Sequence, residues 1–433
     1  MRNGQERDAG SQRVLGGLVV FVAAYALLAV PGWASRMEAW VEPRLWPRLR
    51  PLARVVFTRP GIALTGAVLL VALGFVAWRA ALLSIDPRTL ALLLGMMLLV
   101  AALDAANVFA VLASRLAVAL PTPTRLLVGS MVVVALLSAL VLNDAVVLLF
   151  TPVLVRAARA MGVSAFPFLA SEAFAANLGS SATPVGNPQN AFIANATGIS
   201  FVEFAGRLAP VAAVCLVVGI ALCAFAFRRD LRAPTSRAAP APERVSNRAM
   251  VAIASGAVLL ALVGFVVGPA YGVALWASAL GAGVLAVLLA PAARVSPVRI
   301  VRGVDAGILV FFVGLFVLLE SVREAGAIDA LGALLGRAGS WGFVIATALL
   351  SNLVSNVPAV LLLMPTVSTH AQALLLAMTS TLAGNLTFLG SAATVIVAET
   401  ARREGEPFDV GRFTLLGLAL GTFTLVIAWL WLG

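Results

Sequence analysis

Charged and reactive side chains are scarce in this chain. Only 11% of its 433 residues are charged, and it contains no lysine, one histidine and two cysteines. Without lysine a Ser–Lys pair is excluded, and one histidine leaves no HExxH motif and no histidine metal cluster. The cysteines, Cys215 and Cys223, lie in one apolar run and predict neither a disulfide framework nor a metal site. These absences argue against a membrane-embedded enzyme.

Apolar residues dominate what remains. The sequence is 61% hydrophobic, and its charged fraction is less than half of the roughly one quarter that is usual in a soluble domain. So much apolar surface cannot be buried in one aqueous core, and the composition therefore indicates a multi-pass membrane protein. Continuous apolar runs predict transmembrane spans at roughly 13–33, 60–83, 90–113, 207–228, 249–268, 271–291 and 305–324.

All basic side chains except the histidine are arginines, and they are unevenly spread. The net charge is +11, and arginine clusters fill segments 34–59, 229–248 and 292–303 between apolar runs. In a soluble protein such charge can indicate nucleic-acid binding, but clusters beside membrane spans are explained by the positive-inside rule. We therefore expect these segments on the cytoplasmic side of a bacterial inner membrane, with the lipid bilayer and no nucleic acid as a partner.

Two broken apolar regions resemble each other. "SALVLNDAVVLLFTP" (138–152) aligns with "SNLVSNVPAVLLLMP" (351–365), so that Asn143 corresponds to Asn356. "AANLGSSATPVGNPQN" (175–190) aligns with "AGNLTFLGSAAT" (383–394), which is four residues shorter. Blocks that recur in the same order indicate an internal duplication.

The duplication defines the predicted architecture. Five spans and one hairpin per half give an odd number of crossings, so the second half must be inverted relative to the first. We predict an all-α polytopic membrane protein with about ten transmembrane helices, two re-entrant helical hairpins and two inverted-topology repeats with broken helices. The predicted boundaries are 1–59 for an N-terminal span and an amphipathic interfacial segment, 60–228 for the first repeat (hairpin about 125–160, broken helix about 165–199), 229–248 for a cytoplasmic linker, and 249–433 for the second inverted repeat (hairpin about 339–368, broken helix about 372–400).

The stretch "SSATPVGNPQNAFIA" (180–194) is strongly polar and helix-breaking where a bilayer helix is expected. A single proline kink is common in membrane helices, but irregular backbone at membrane depth requires burial in protein or a polar cavity. Recurrence in the second half favours a binding site, where helix N-termini suit an anion or a polarised oxygen and unwound carbonyls suit a cation. The candidate substrate- and ion-binding residues are Asn143, Asp144, Ser181, Thr183, Gly186, Asn187, Asn190, Asn352, Ser355, Asn356, Asn385, Thr387, Gly390, Ser391 and Thr394.

Asp144 is the most informative single residue. It stands at the predicted tip of the first hairpin, where the second half has Val357. An ionisable group at membrane depth indicates function, because burying it without compensation is expensive. Asp144 could carry the coupling proton or bind a sodium ion; the alternative is an aspartate that caps the hairpin. Asp104, deep in an apolar run, is a second candidate for ion coupling.

Other charged residues in or near the predicted spans are weaker indicators of a binding site. Glu320 and Arg323 are three residues apart, which suits an ion pair within one helix or a contact between Arg323 and the substrate. The lone His370 follows the second hairpin and is expected at its aqueous end. We predict no cofactor and no metal beyond a sodium ion.

Four stretches carry a family resemblance: "NDAVVLLFTP", "NLGSSATPVGNPQN", "SNVPAVLLL" and "GNLTFLGSAATVIVAE". In combination they resemble the arsenite permease and citrate-transporter-like branch of the ion transporter superfamily, which is related to sodium–proton antiporters, over roughly residues 60–433. The resemblance implies a scaffold domain, a mobile transport domain with two re-entrant hairpins, elevator-type alternating access and a homodimer.

The resemblance also assigns residues by position. It matches Asn143, Thr183, Gly186, Asn187 and Asn190 to the first-half motif, and Asn356, Asn385, Gly390 and Ser391 to the second. Thr394 stands where relatives in this branch tend to have asparagine. The Asn–Asp hairpin tip is more similar to arsenite permease than to sodium–dicarboxylate symporters, which favours proton coupling through Asp144.

We therefore expect a secondary active transporter that moves a small anion or oxyacid, arsenite/antimonite-like or carboxylate-like, coupled to protons or sodium. The neutral amide and hydroxyl site suits an uncharged trihydroxide such as arsenite. A sodium–proton antiporter is the alternative. A passive channel would need a continuous pore, whereas two inverted broken helices suit an occluded site at the midplane.

Overall fold

The computed structural model describes residues 2–29, 55–232 and 247–433, and over these ranges the chain is helical, without β-strands. Eight described helices are long and apolar enough to cross a membrane: Pro87–Ala105, Pro123–Leu140, Phe201–Ala226, Arg248–Tyr271, Leu275–Ala293, Ala306–Glu324, Leu331–Val354 and Val410–Leu432. Shorter apolar helices are Leu15–Leu28, Arg59–Ala72, Val108–Ala119 and Asn356–Thr366. The predicted all-α polytopic class is confirmed.

Nineteen α-helices follow one another in the described ranges. They are α1 Arg2–Ala29, α2 Arg59–Ala72, α3 Trp78–Ser84, α4 Pro87–Ala105, α5 Val108–Ala119, α6 Pro123–Leu140, α7 Asn143–Met161, α8 Phe166–Ser180, α9 Pro188–Thr197, α10 Phe201–Ala226, α11 Arg248–Val267, α12 Leu275–Leu289, α13 Pro297–Arg302, α14 Ala306–Glu324, α15 Ala327–Val354, α16 Asn356–Leu363, α17 His370–Ala383, α18 Ala392–Arg403 and α19 Val410–Leu432. Several begin at a side-chain cap: Asp86 accepts from the backbone N–H groups of Arg88 and Thr89 at the start of α4.

Six helices, α1, α2, α4, α11, α12 and α14, form a group that we call the scaffold helices. Each half of the chain packs on the other, because α4 lies against α12 and α14 lies against α2. Glycine makes both contacts close: a Cβ on Gly95 would lie 2.4 Å from the backbone of Ala279, and one on Gly314 would lie 2.5 Å from that of Ala63. Small residues allow such close approach of membrane helices.

The second group, which we call the core helices, comprises α6 to α10 and α15 to α19. The second part of each broken helix packs on the hairpin of the opposite half, α18 on α7 and α9 on α16. All 15 residues of α8 are buried, as are Ala373–Ala383 of α17. A helix that is buried on all sides contacts protein rather than lipid. The first parts of the two broken helices therefore occupy the middle of the core group.

Residues with left-handed backbone divide two predicted apolar spans and kink one further helix. Gly74, with φ 72°, follows α2 inside the predicted span 60–83, and Asn107, with φ 59°, interrupts the predicted span 90–113. Gly339, with φ 66°, kinks α15. Glycine and asparagine tolerate this conformation better than other residues. The length of an apolar run does not reveal such breaks.

Some predictions concern residues or features that the structure does not test. Residues 30–54, which hold most of the predicted interfacial segment, and residues 233–246 of the predicted linker lie outside the described residues. The boundaries of the two repeats and the re-entrant course of the hairpins remain predictions.

Candidate functional site

Both broken helices are interrupted inside the core group. Residues 181–187 separate α8 from α9, and residues 384–391 separate α17 from α18. Proline contributes to the first break, because Pro184 and Pro188 have no backbone N–H to donate within a helix. The chain is therefore unwound where the sequence is richest in polar side chains.

Gly186 brings the first break against the first hairpin. A Cβ at this position would lie 2.5 Å from the backbone oxygen of Ser180 and 2.6 Å from that of Ser138. The same closeness lets the Gly186 carbonyl accept a hydrogen bond of 3.1 Å from the backbone N–H of Asn143, the first residue of α7. The hairpin tip and the unwound segment thus form one unit.

Amide side chains satisfy the freed backbone around this break. Asn190 Nδ2 donates to the carbonyl oxygens of Ser180 and Thr183, at 3.1 Å each. Asn187 Nδ2 donates to Ser180 Oγ at 2.6 Å, and Thr183 Oγ1 donates to the Ala139 carbonyl. Buried backbone groups without partners are costly, so the Asn190 amide and the Thr183 hydroxyl, which donate to backbone carbonyls, stabilise the unwound conformation.

The second break is held in a related way. Asn352 Nδ2 donates to the carbonyls of Ala348 and Ala383, at 2.9 Å each, and Thr387 Oγ1 donates to Asn352 Oδ1 at 2.8 Å. Gly390 takes the place of Gly186: a Cβ there would lie 2.7 Å from Asn352 Oδ1. Asn352 therefore connects the second hairpin to the second break.

The tip of the second hairpin is strained. Ser355 has φ 79° and ψ 161°, a region almost confined to glycine, which costs about 1–3 kcal/mol. The neighbouring Asn356 amide, oriented with its nitrogen toward the carbonyls of Ser380 and Gly390, donates to both at 2.9 Å. These two hydrogen bonds help to hold the tip against the break.

Hydrogen bonds also join the two halves. Asn177 Nδ2 donates to Asn385 Oδ1 at 2.8 Å, and Ser391 Oγ donates to Asn177 Oδ1 at 2.9 Å. Gln189 Nε2 donates to Thr381 Oγ1 at 3.2 Å. All five side chains are buried. The breaks therefore share one polar centre.

Four buried polar atoms of this centre have no hydrogen-bond partner among the described residues. They are Asn143 Oδ1, Asn190 Oδ1, Thr394 Oγ1 and Asn385 Nδ2. Unpaired buried polar groups are rare, and they are suited to hydroxyl groups or, for the oxygens, a hard cation. In the described part of the chain, no three His, Cys, Asp or Glu side chains cluster to hold a metal ion.

A cavity of about 350 Å³ lies between the scaffold helices and the core helices. Four of its lining residues stand at N-termini of core helices: Asp144 in α7, Pro188 in α9, Ser355 before α16 and Ala392 in α18. Helix N-termini offer backbone N–H groups and partial positive charge. These termini could bind ligand oxygens, while much of the remaining lining is apolar, including Met97, Leu148 and Phe312.

The cavity also carries formal charge. Its charged lining residues among those described are Arg59 and Asp305, from the scaffold side, and Asp144, from the core. Arg59 and Asp305 both act electrostatically on the Asp144 carboxylate. One positive and two negative groups do not make a site for a multiply charged anion.

Three predicted residues lie away from this centre. Asp104, on α4, interacts electrostatically with Arg299 of the short helix α13. Arg323 Nη1 lies 3.7 Å from Glu320 Oε2 near the end of α14, which makes an ion pair within one helix, and the Arg323 side chain is 73% exposed. None of the three lines the 350 Å³ cavity.

Two other predicted positions have local roles. Ser181 Oγ donates to the Leu178 carbonyl at 2.7 Å, so it closes the end of α8. His370 Nδ1 lies 3.2 Å from Glu203 Oε1, at the exposed starts of α17 and α10.

The predicted site residues leave out four members of the polar centre: Asn177, Ser180, Gln189 and Thr381. Asn177 could have been found because it aligns with Asn385 in the repeated block, and Ser180 and Gln189 belong to the polar stretch 180–194. Thr381 contacts the site through tertiary packing, which leaves no signal in a single sequence. The fully buried Glu172, two turns before the first break, instead accepts a hydrogen bond of 3.0 Å from Thr151 Oγ1.

Comparisons with known proteins show which family and fold the chain is similar to. The citrate transporter (CitMHS) family profile matches residues 49–381. A 46 kDa membrane protein of Mycobacterium leprae is 31% identical over 402 residues, covering 86% of this chain and 92% of that protein. The silicon efflux transporter LSI3 of Oryza sativa subsp. japonica is 30% identical over 418 residues, covering 79% of this chain and 84% of that protein. The structure of the Alcanivorax borkumensis YdaH transporter aligns with a TM-score of 0.56 at 16% sequence identity, covering 96% of this chain and 97% of that chain.

The broken helices and the multi-span fold define a membrane transporter. The chain belongs to the CitMHS citrate transporter family, within the arsenite permease and citrate-transporter-like branch of the ion transporter superfamily.

Proposed function

We propose that this protein is a secondary active transporter of a small oxyacid or small anion in the bacterial inner membrane. Coupling is to protons or sodium, by elevator-type alternating access in a homodimer. The observation that carries the proposal is a cavity lined by four N-termini of core helices, directly beside the buried amides and hydroxyls of the two breaks. This arrangement supplies many hydrogen-bond donors and little net charge.

Within that class the site favours an uncharged oxyacid. A di- or tricarboxylate is usually held by arginine or lysine, often in bidentate geometry. The described lining offers Arg59 alone, and two carboxylates oppose it. An oxyacid with several hydroxyl groups needs donors and acceptors rather than charge. The Oryza sativa relative, named a silicon efflux transporter, is in keeping with such a substrate.

Asp144 is the proposed coupling residue. It lies beside the polar centre, since its neighbour Asn143 bonds to Gly186 in the break, and it lines the cavity. A carboxylate there can take up a proton from the cavity and carry it with the substrate. If it instead exchanged a proton for sodium without any oxyacid, the protein would be a sodium–proton antiporter.

The test is electrical and flux measurement on proteoliposomes. Jumps of arsenite, antimonite, silicic acid, citrate, succinate, sulfate and sodium are applied with and without a proton gradient. We expect a signal with an oxyacid that scales with the proton gradient. A response to sodium alone, reversed by the gradient, would replace the proposal by the antiporter.

Two substitutions test the site itself. Asn187→Ala and Asn356→Ala should each weaken the apparent substrate affinity about tenfold, because each removes a buried polar contact. Asn195→Ala is the matched control, since its amide makes only a 3.4 Å contact with Thr89 away from the break. Unchanged affinity in both site variants would contradict the proposed location.

A further inference from the structure

Arg59 is fixed to the scaffold group. It is the first residue of α2, whose start is capped by Thr58: Oγ1 accepts from the backbone N–H of Gly61 at 3.1 Å. Helix α2 packs tightly on α14 through the contact of Ala63 with Gly314. Arg59 therefore cannot follow a movement of the core helices without disturbing this packing.

Arg59 lines two cavities at the boundary between the groups. One is the 350 Å³ cavity that holds Asp144. The other, of about 530 Å³, is also lined by Glu399 and Arg402 of α18 and by Glu406. The guanidinium interacts electrostatically with Asp144 and with Glu399. These carboxylates stand on α7 and α18, two core helices that pack on each other.

We propose that Arg59 is a positioning residue whose charge holds the core helices in the conformation described here, through Asp144 and Glu399. Neutralisation of Asp144 weakens this attraction and frees the core to move. This inference rests on the proposed coupling role of Asp144 and adds the scaffold element on which that coupling acts. Sequence alone places Arg59 among the loop arginines of the positive-inside pattern.

Physical reasoning supports a switch of this kind. Asp144 and Glu399 are on the moving core group, and Arg59 is on the fixed scaffold group. Each carboxylate attracts the Arg59 guanidinium in this conformation. The attraction weakens when the core group moves, because the distances between the charges grow. A conformational equilibrium responds only to such differences between states. Protonating Asp144 removes one of the two attractions. It also relieves the repulsion with Asp305 of the scaffold side, which acts in the opposite direction, but Arg59 acts more strongly on the Asp144 carboxylate than Asp305 does.

Other charged groups surround α7. The helices packed on it carry Arg115 (α5), Arg125 (α6), Glu172 (α8) and Glu399, Arg402 and Arg403 (α18). The groups that act on the Asp144 carboxylate are Arg59 and Asp305. Protonation of Asp144 is therefore expected to act mainly by weakening its electrostatic attraction to Arg59.

The experiment measures the distance between the two groups directly. Spin labels are placed at Leu260 of α11 and Leu415 of α19, which are 49% and 72% exposed, in a Cys215→Ala/Cys223→Ala background. Distance distributions are recorded at pH 8 and pH 5 without substrate. The wild type should shift population from one distance to another as the pH falls.

Arg59→Gln should raise the ratio of the second conformation to the first at pH 8 by about fivefold or more, the usual lower size of coupling between sites. It should also abolish most of the pH response. Arg59→Lys, which keeps the charge, should behave as the wild type. Arg79→Gln, on α3 and outside both cavities, is the matched control.

If Arg59→Gln does not fold, Glu399→Gln tests the same inference. It should raise the ratio of the second conformation to the first in the same direction, but by less. The inference is overturned by a wild type whose distances do not depend on pH, or by Arg59→Gln and Glu399→Gln distributions equal to the wild type. The proposed function fails differently, by absence of oxyacid flux in the wild type. The distances need no substrate, so the two failures are distinguishable.

Discussion

Replacing Gly186 by alanine tests the join between the first hairpin and the first break. The added Cβ would meet the carbonyl oxygens of Ser180 and Ser138 at 2.5 and 2.6 Å. An ordinary carbon–oxygen contact is about 3.3 Å or longer. Both neighbours are backbone atoms of core helices, so neither can turn aside as a side chain could.

The expected destabilisation follows from two contributions. Overpacking of a tight interior costs about 1–3 kcal/mol. Displacing the break also weakens the hydrogen bond from the Asn143 N–H to the Gly186 carbonyl, a loss of about 1 kcal/mol. We therefore expect Gly186→Ala to lower the free energy of unfolding by about 2–4 kcal/mol. Transport should fall at least about tenfold, which corresponds to an increase of about 1.4 kcal/mol in the transport barrier, because the displaced break disturbs the polar centre.

Two further glycines give a graded series. At Gly390 the nearest atom is the side-chain oxygen of Asn352, at 2.7 Å, and the backbone of Gly384 is 3.1 Å away. Gly390→Ala should therefore cost about 1–2 kcal/mol. Gly206, inside α10, has no described atom within 4 Å of its added Cβ, so Gly206→Ala should be neutral or stabilising by up to about 1 kcal/mol.

The assay is reversible unfolding in mixed detergent micelles, followed by fluorescence, with flux measured on the same variants. The expected order of stability is Gly206→Ala, wild type, Gly390→Ala and then Gly186→Ala. A Gly186→Ala protein as stable as the wild type and active within twofold would refute the close approach and the reasoning built on it.

Three other outcomes are expected. Asn177→Ala should destabilise by about 1–2 kcal/mol in the same unfolding assay, because it removes the hydrogen bonds to Asn385 and from Ser391, and such bonds in membranes average about 0.6 kcal/mol each. The double variant with Asn385→Ala should be less than additive. Asp144→Asn should abolish the pH dependence of flux, and a retained pH profile would remove its proton-carrier role. The Arg412 guanidinium, which donates two hydrogen bonds to Asp230, holds the pKa of that carboxyl below its usual range. Its stabilising effect should be present above about pH 4 and lost as the pH falls through the lowered pKa, and Asp230→Asn should flatten the acid limb of a thermal stability profile.

Local chemistry made the broken helices predictable. Pro184, Gly186 and Pro188 in succession break a helix in any context. The internal alignment then transferred the prediction to Gly390, which also lies in close contact at its break, although against the side-chain oxygen of Asn352 rather than against backbone oxygens. These signals lie within a few residues of each other, which is why the sequence alone contains them.

Tertiary packing decided the rest. Arg59 has the sequence context of a loop arginine, and only the fold brings it to the cavity of Asp144. Asp104 has the context of a site residue, yet it interacts with Arg299 beside the scaffold. The contact of Asn177 with Asn385 joins residues 208 positions apart. Interactions at such separations depend on how the two halves dock, which no local pattern encodes.

The crossed pairing of α4 with α12 and of α14 with α2 also constrains how the chain is made. Helix α2 begins at Arg59, and its partner α14 begins roughly 250 residues later. At about 5–20 residues per second of synthesis, the first half waits roughly 12–50 seconds in the membrane before its packing surface is covered. During that interval the glycine-lined faces of the early helices meet lipid or insertion factors. A chain cut after the first half should therefore be a substrate for membrane quality control rather than a stable half-transporter.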